Sequence, residues 1–200
     1  MDNFDIINSL ADPFEQFSAW YSAVEQTGRE NYNAVALSTA DISGSVSSRI
    51  VLLKDFSQRG FVFFTNYNSR KGKQIAVNPR GAMLFYWPDF RRQVRIEGEI
   101  FRTGTDESDA YFNSRARGHK LNALASQQSS QLESRETLLN KKEELSVIYS
   151  ESDPQRPEGW GGFCLVPLMF EFWQEGADRF HDRLEYIPKP GGWTIRRLYP

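Results

Sequence analysis

Residues 46–65 read VSSRIVLLKDFSQRGFVFFT, and they decide the class of fold. Two runs rich in β-branched and aromatic residues, Val46 to Lys54 and Phe61 to Thr65, flank the turn residues Ser57-Gln58-Arg59-Gly60. Such runs between polar turn clusters predict short strands. Upstream, Asp41-Ile42-Ser43-Gly44 is a second turn, preceded by a strand over Ala34 to Thr39. Downstream, Gly81 to Trp87 and Gln93 to Thr103 continue the pattern. Gly162 to Gln174, Arg179 to Tyr186 and Trp193 to Leu198 resume it.

Helical segments sit between these strands. Asp12-Pro13 opens one, with Asp12 as cap, Pro13 at the first helical position and Glu15 completing a capping box. Phe14, Phe17, Tyr21 and Val24 give it an apolar stripe at helical spacing. Ser69 to Val77 is a short helix stopped by Asn78-Pro79, Thr105 caps another to about Ser114, and Ser134 to Ser150 is longer. Ser152 to Gly159 reads as loop. The sum is a mostly β protein with flanking helices (α+β), built on a barrel or sandwich. No repeat or linker divides it. Residues 1–200 are expected to form one domain, with 1–11 a flexible start.

Composition narrows the functions. With 40% hydrophobic and 14% aromatic residues, the chain has material for a real core. Its net charge of −2 gives no reason to expect nucleic acid or an anionic membrane as partner. Cys164 is the single cysteine, which excludes an internal disulfide framework and fits a reducing compartment. Within Gly-Phe-Cys-Leu-Val it reads as a small core residue. One Cys and two His are too few for a structural zinc site, so no metal is expected. The opening MDNFDIINSL lacks the basic start of a targeting segment, and no run nears the roughly 18 apolar residues of a membrane helix. A soluble, cytoplasmic protein is expected.

Five constellations could carry chemistry. Asn68-Ser69-Arg70-Lys71 puts two cations in a first helical turn, where they oppose the helix dipole unless an anion binds. It reads as a phosphate cradle or as a solvated basic turn. In Ser48 to Lys54, period two places Ile50, Leu52 and Lys54 on one side and Arg49, Val51 and Leu53 on the other. That suits a flat ring with a charged tail, or a buried strand with snorkelling ends. Arg179-Phe180-His181-Asp182-Arg183, if extended, lines up Arg179, His181 and Arg183, which repel one another unless an anion or electron-rich ring lies over them; the alternative is a solvated edge strand. Gln93, Arg95, Glu97 and Glu99 share a polar face, where Gln93 could bond the edge of a flavin or a base. Tyr111 and Arg115, four apart, would share a helical face and could grip a phosphate or form a cation–π pair. No Walker loop, Rossmann glycine pattern, metalloprotease helix or nucleophile elbow is present.

Taken in order, these stretches resemble one family, the pyridoxamine (pyridoxine) 5′-phosphate oxidases. The resemblance rests on Arg49-Ile50-Val51-Leu52-Leu53-Lys54, Phe64-Thr65-Asn66, Ser69-Arg70-Lys71, Asn78-Pro79-Arg80, Arg92-Gln93-Val94 and Tyr111-Phe112-Asn113-Ser114-Arg115. It continues through Gln127-Gln128-Ser129-Ser130, Trp160-Gly161-Gly162-Phe163, Glu171-Phe172-Trp173-Gln174, Arg179 to Arg183 and Arg196-Arg197-Leu198-Tyr199-Pro200. It covers nearly everything from Asp12 to the last residue.

The resemblance implies an FMN-binding split β-barrel, a homodimer with FMN held in two clefts between subunits. By family position, Arg49, Ile50, Val51, Leu52, Leu53, Lys54, Phe64, Thr65, Arg70 and Lys71 would contact FMN. So would Gln93, Gln128, Ser129, Trp173 and Arg183. Lys54, Tyr111, Arg115 and His119 would hold the substrate phosphate, and Arg179 and His181 would lie over the pyridine ring as the catalytic pair. The implied reaction oxidises C4′ of pyridoxamine or pyridoxine 5′-phosphate to pyridoxal 5′-phosphate. Hydride passes to the flavin, and O2 returns as hydrogen peroxide.

Three departures stand out. The family often carries a basic N-terminal segment with an Arg and a Tyr that close over the substrate, and the residues before Asp12 contain neither. His119 stands where Ser is usual, and Phe64 where Tyr is common. Two other readings share the barrel: a flavin reductase, which has no need of Arg179, His181 and Arg183 beside Tyr111 and Arg115, and a non-catalytic FMN- or pyridoxal-phosphate-binding protein.

Overall fold

Helix α1 (Pro13–Glu25) begins as its sequence dictates. The Asp12 carboxylate accepts the Phe14 N–H at 2.8 Å, and the buried stripe contains Phe14, Phe17, Tyr21 and Val24, with Trp20 beside it. The computed structural model describes residues 4, 5 and 8–200. In it α1 plugs the interior of a curved sheet. Phe17, fully buried, meets Phe56 and Phe61 at 4.9 Å and Phe85 at 5.0 Å, edge to face or nearly so. Burying rings of this size is the largest apolar contribution available to the chain.

The sheet has nine strands: β1 (Ala34–Ala40), β2 (Val46–Leu52), β3 (Asp55–Ser57), β4 (Gly60–Asn66), β5 (Arg80–Trp87), β6 (Arg92–Arg102), β7 (Trp160–Gln174), β8 (Asp182–Lys189) and β9 (Gly192–Arg197). The order is β2-β1-β5-β6-β7-β4-β3, with β8 on β7 and β9 on β8. All pairs are antiparallel. The chain leaving β2 turns on to β4, where the Lys54 N–H donates to the Val62 carbonyl at 2.8 Å beside the β3–β4 hairpin. β2 itself pairs with β1 alone. The barrel is split along that line.

Helix α2 (Arg70–Val77) follows β4; α3 (Thr105–Ser114), α4 (Arg117–Ala125) and α5 (Arg135–Ile148) join β6 to β7. The mostly β fold with flanking helices is as expected. Several local expectations are corrected. The strand from Val46 ends at Leu52, because Asp55–Ser57 forms its own short hairpin with β4. Thr105 is the first helical residue rather than a cap; Gly104 precedes it without a side-chain cap bond. Helix α4 was not anticipated. The strand expected over Arg179 to Tyr186 begins only at Asp182.

Of the start expected to be flexible, residues 1–3, 6 and 7 lie outside the described residues. Phe4 packs 4.9 Å from Trp20, Asp5 pairs with Arg197 at 2.8 Å, and the Leu10 carbonyl accepts the Tyr186 hydroxyl at 2.9 Å. Among the described residues no helix is long and apolar enough to cross a membrane.

Gly72 fixes how α2 meets the end of β4. A Cβ there would stand 2.0 Å from the Tyr67 carbonyl oxygen. Gly72→Ala should therefore push α2 off the 66–69 turn and lower stability by about 1–3 kcal/mol. Urea unfolding reads this, and an unchanged midpoint would mean that the turn yields freely.

Candidate functional site

Where β2 and β4 part, cations gather. Ser69 caps α2: its hydroxyl oxygen accepts the Gly72 N–H at 3.3 Å, and its hydroxyl donates to the Asn66 carbonyl at 2.6 Å. The Lys71 ammonium is buried and donates only to neutral oxygens, Gln128 Oε1 at 3.0 Å, Thr65 Oγ1 at 3.1 Å and Ser69 Oγ at 3.3 Å. Arg49, on β2, donates to Thr39 Oγ1 at 2.8 Å, to the Leu37 carbonyl at 3.1 Å and to the Ser47 hydroxyl. Gln74, buried on α2, receives the Thr39 and Ser47 hydroxyl protons at 2.6 and 2.7 Å. Those hydroxyls therefore keep their lone pairs for Arg49.

Among the described residues, Arg49, Lys54, Arg70, Lys71 and Arg115 take part in no ion pair. Burial, and then the nearby Arg49 charge, pushes the Lys71 ammonium down to about 8. Burial and Arg70 likewise lower Arg49. A buried cation without a carboxylate is costly unless an anion joins it.

A cleft of about 1040 Å³ opens along the split. Arg49, Ile50, Val51, Leu52 and Lys54 line it from the β2 side, Phe64 and Thr65 from β4, and Arg70 and Lys71 from α2. Gln128 and Ser129 close it from the segment after α4. Leu53 does not line it; its side chain is in the core, 2% exposed. Tyr111, Arg115 and His119 form the far wall. Tyr111 stacks on Phe64 at 3.9 Å, and the Arg115 guanidinium lies 4.6 Å over Trp160. Arg115 Nη1 is buried without a hydrogen-bond partner, an orphan donor in the wall of the cleft.

Tyr111 and Arg115 do converge, but not by helical spacing. Helix α3 ends at Ser114, and Arg115 is already extended (φ −74°, ψ 148°). Its aromatic partners are Trp160 and Phe112 rather than Tyr111. Trp160, Asn66, Asn122 and Ser126 also line the cleft and were missed, because only tertiary folding brings them there.

The remaining candidates lie elsewhere in this chain. Gln93, Trp173 and Arg183 stand in one register row, Tyr86↔Gln93↔Trp173↔Arg183, on the outward face of the sheet. Beside them the buried Glu171 carboxylate accepts from Arg183 Nε at 2.8 Å and Arg95 Nη2 at 2.6 Å. Arg179 and His181 line a second hollow of about 1290 Å³ with the C-terminal Leu198, Tyr199 and Pro200. No residue lines both cavities.

The expected row of Arg179, His181 and Arg183 is corrected. Asp178 (φ 50°) and Arg179 (φ 66°) are left-handed, so a tight turn replaces the strand, and only Arg183 obeys strand periodicity. His181 instead packs on Trp173, ring centroids 4.7 Å apart. The described residues hold no group of three or more His, Cys, Asp or Glu placed to bind a metal.

The family described as pyridoxamine 5′-phosphate oxidase matches residues 22–148, and the pyridoxine 5′-phosphate oxidase C-terminal dimerisation region matches residues 160–200. The pyridoxine/pyridoxamine 5′-phosphate oxidase of Paraburkholderia phymatum is 47% identical over 201 residues, covering 100% of this chain and 94% of its own. That of Bordetella petrii is 46% identical, covering 96% and 91%. Among solved structures, PhzG of Burkholderia lata 383, in complex with tetrahydrophenazine-1-carboxylic acid, superposes with a TM-score of 0.92 at 28% identity, covering 100% of this chain and 99% of its own. A pyridoxamine 5′-phosphate oxidase-related, FMN binding protein of Nostoc punctiforme PCC 73102 shares the fold, with a TM-score of 0.73 at 16% identity and coverage of 96% and 99%.

Lys71 gives a signed pH dependence. Its ammonium is depressed to about 8 in the folded chain from 10.5. The folded state thus binds fewer protons than the unfolded one between those values, and the penalty, complete below about pH 8, fades as pH rises towards 10.5. Lys71→Met should raise the unliganded thermal midpoint at pH 7, with the gain vanishing by about pH 10. The same change should weaken a phosphate-ester ligand by roughly 10–100-fold, the worth of a charge-assisted hydrogen bond. Thermal scans and ligand titration check both, and a lowered midpoint at pH 7 would contradict the burial penalty.

Proposed function

The chain belongs to the pyridoxamine 5′-phosphate oxidase family, and from that premise we propose that it oxidises pyridoxamine and pyridoxine 5′-phosphate to pyridoxal 5′-phosphate as an FMN-dependent homodimer. The observation that carries this reading is one cleft with two cationic loci on an aromatic wall. Arg49, Arg70 and Lys71 stand at one locus, and Lys54 and Arg115 at the other, with the His119 imidazole also in the wall. Two phosphorylated aromatic molecules meet that demand. The lone Lys71 ammonium and the orphan Arg115 Nη1 fit phosphate oxygens as partners.

In this reading the first locus, with Thr65, Gln128 and Ser129, holds the FMN phosphate, and the β2 edge from Arg49 to Lys54 lies along the cofactor. Lys54, Tyr111, Arg115 and His119 hold the substrate phosphate. Bound FMN supplies the two-electron acceptor that no side chain here provides, and O2 takes those electrons on to hydrogen peroxide. For the amine substrate, C4′ gives up one hydrogen with two electrons and the amine nitrogen gives up one proton, water hydrolyses the resulting imine, and ammonia leaves.

The outward face supports a second copy. Val46, Ile50 and Leu52 on β2 and Leu84 and Tyr86 on β5 are exposed there, adjoining across β1 through the Ile50↔Ala36↔Leu84 register. The row of Gln93, Trp173 and Arg183 continues the same face. A second copy covering it would bring those residues, with Arg179 and His181, to the cleft of its partner. Arg179 and His181 then orient the pyridine ring and stabilise charge as C4′ is oxidised. We place this activity in the cytoplasm, with residues 1–200 as one domain.

The test is direct. The purified protein should show a flavin spectrum and, given pyridoxamine 5′-phosphate in air, form pyridoxal 5′-phosphate and peroxide. Bleaching by a reduced nicotinamide alone would make it a reductase, and a yellow but inert protein a carrier. Arg179→Ala should leave FMN bound while turnover falls by about 10²–10³-fold. Unchanged turnover would remove Arg179 from the reaction.

A further inference from the structure

The turn between β7 and β8 holds one side chain in a defined chemical state. The Gly176 N–H donates to His181 Nδ1 at 3.3 Å. Several features keep that amide in place. The Phe180 N–H closes on the Ala177 carbonyl at 2.8 Å, and Asp178 and Arg179 are both left-handed. Position 176 is pressed so closely to the returning chain that a Cβ would lie 1.9 Å from the Phe180 carbonyl oxygen. On its other side the imidazole packs against the Trp173 ring at an interplanar angle of 48°.

An imidazole nitrogen that accepts a hydrogen bond carries no proton, so a neutral ring held this way has its proton on the other nitrogen. Among the described residues no carboxylate forms an ion pair with His181 that would draw the proton to Nδ1. The charged groups around the same hollow, Arg91, Glu175, Asp178, Arg179, Asp182 and Arg197, are of both signs.

We infer that Gly176 is a positioning residue that holds His181 as its neutral Nε2–H tautomer, so that the imidazole serves as a hydrogen-bond donor and not as a base. A donor at Nε2 selects a substrate ring with an acceptor oxygen or nitrogen at the facing position. It also excludes Nε2 as the group that takes a proton when C4′ is oxidised. The identity of the facing ring rests on the oxidase reading above, whereas the tautomer rests on the turn alone.

The sequence has two histidines, His119 and His181, which makes the measurement simple. In the FMN-loaded protein labelled with ¹⁵N-histidine, long-range ¹H–¹⁵N correlation at about pH 8.5, roughly two units above an ordinary imidazole, distinguishes the tautomers. His119→Gln assigns the signals by deleting one set. Nε2 of His181 should be the protonated nitrogen and Nδ1 the bare one. A proton on Nδ1, or an even mixture, overturns the inference whatever the enzyme's activity. Side-chain substitution supplies the second arm. In His181→Gln the amide NH2 stands in for the Nε2 donor and should keep kcat/KM within about tenfold of the unsubstituted protein, while His181→Leu should lose about a hundredfold. Equal losses in the two variants would mean that His181 acts as a base, and would sink the donor role. If the unsubstituted protein turns over no vitamer, the oxidase reading fails while the NMR result still decides the tautomer.

Discussion

An ammonium buried among neutral oxygens governs this molecule. Lys71 is brought under the split of the barrel by the Ser69 cap and the close approach of Gly72 to Tyr67, and it finds only Thr65, Ser69 and Gln128 there. Taking such a charge out of water costs several kcal/mol even after relaxation. The dense ring packing around Phe17 in the core offsets that cost. The cationic cleft lies where β2 keeps an edge unpaired.

The site residues fall into two groups. The inward side of β2 and the helices beyond it contribute cations and the aromatic wall. The outward side of β6, β7 and β8 contributes Gln93, Trp173 and Arg183 in register. Glu171 ties that second group down, since its carboxylate is nearly withdrawn from solvent and gripped by Arg95 and Arg183. A guanidinium so held has little freedom to turn away from the sheet face. A side chain on a strand is placed more accurately than one on a loop, and the loop residues Arg179 and His181 are instead held by their tight turn.

Much of this was legible in the sequence, for identifiable reasons. Strands such as Ala34–Ala40 and Arg80–Trp87 announce themselves by alternation, and α1 by its cap and stripe. The basic turn at Ser69 to Lys71 stood out because cations in a first helical turn need an explanation, and Lys71 is drawn inward onto Thr65, Ser69 and Gln128. What period-based reading could not see was conformation set from a distance. Asp178 and Arg179 are left-handed without glycine, so nothing local broke the strand pattern through His181. Arg115 escapes its helix to lie on Trp160, a residue 45 positions away in the sequence and joined to it only by folding. Gln74 reads as one more polar helical residue, yet it directs the hydroxyls that hold Arg49.

The pairing of β4 with β7 sets a schedule for how the chain is made. Phe64 lies opposite Gly162 and Phe61 opposite Leu165, so strands about a hundred residues apart must meet before the barrel exists. As the polypeptide leaves the ribosome, β4 emerges with Phe61 and Phe63 lacking their eventual neighbour, and it stays so until β7 is synthesised about a hundred residues later. Contacts this distant along the chain form slowly, and a strand edge left waiting is open to other nascent chains. Vectorial synthesis therefore supplies the ammonium's partners, of which Gln128 comes latest, before β7 arrives to cover β4, and the vulnerable interval is the wait between those two strands.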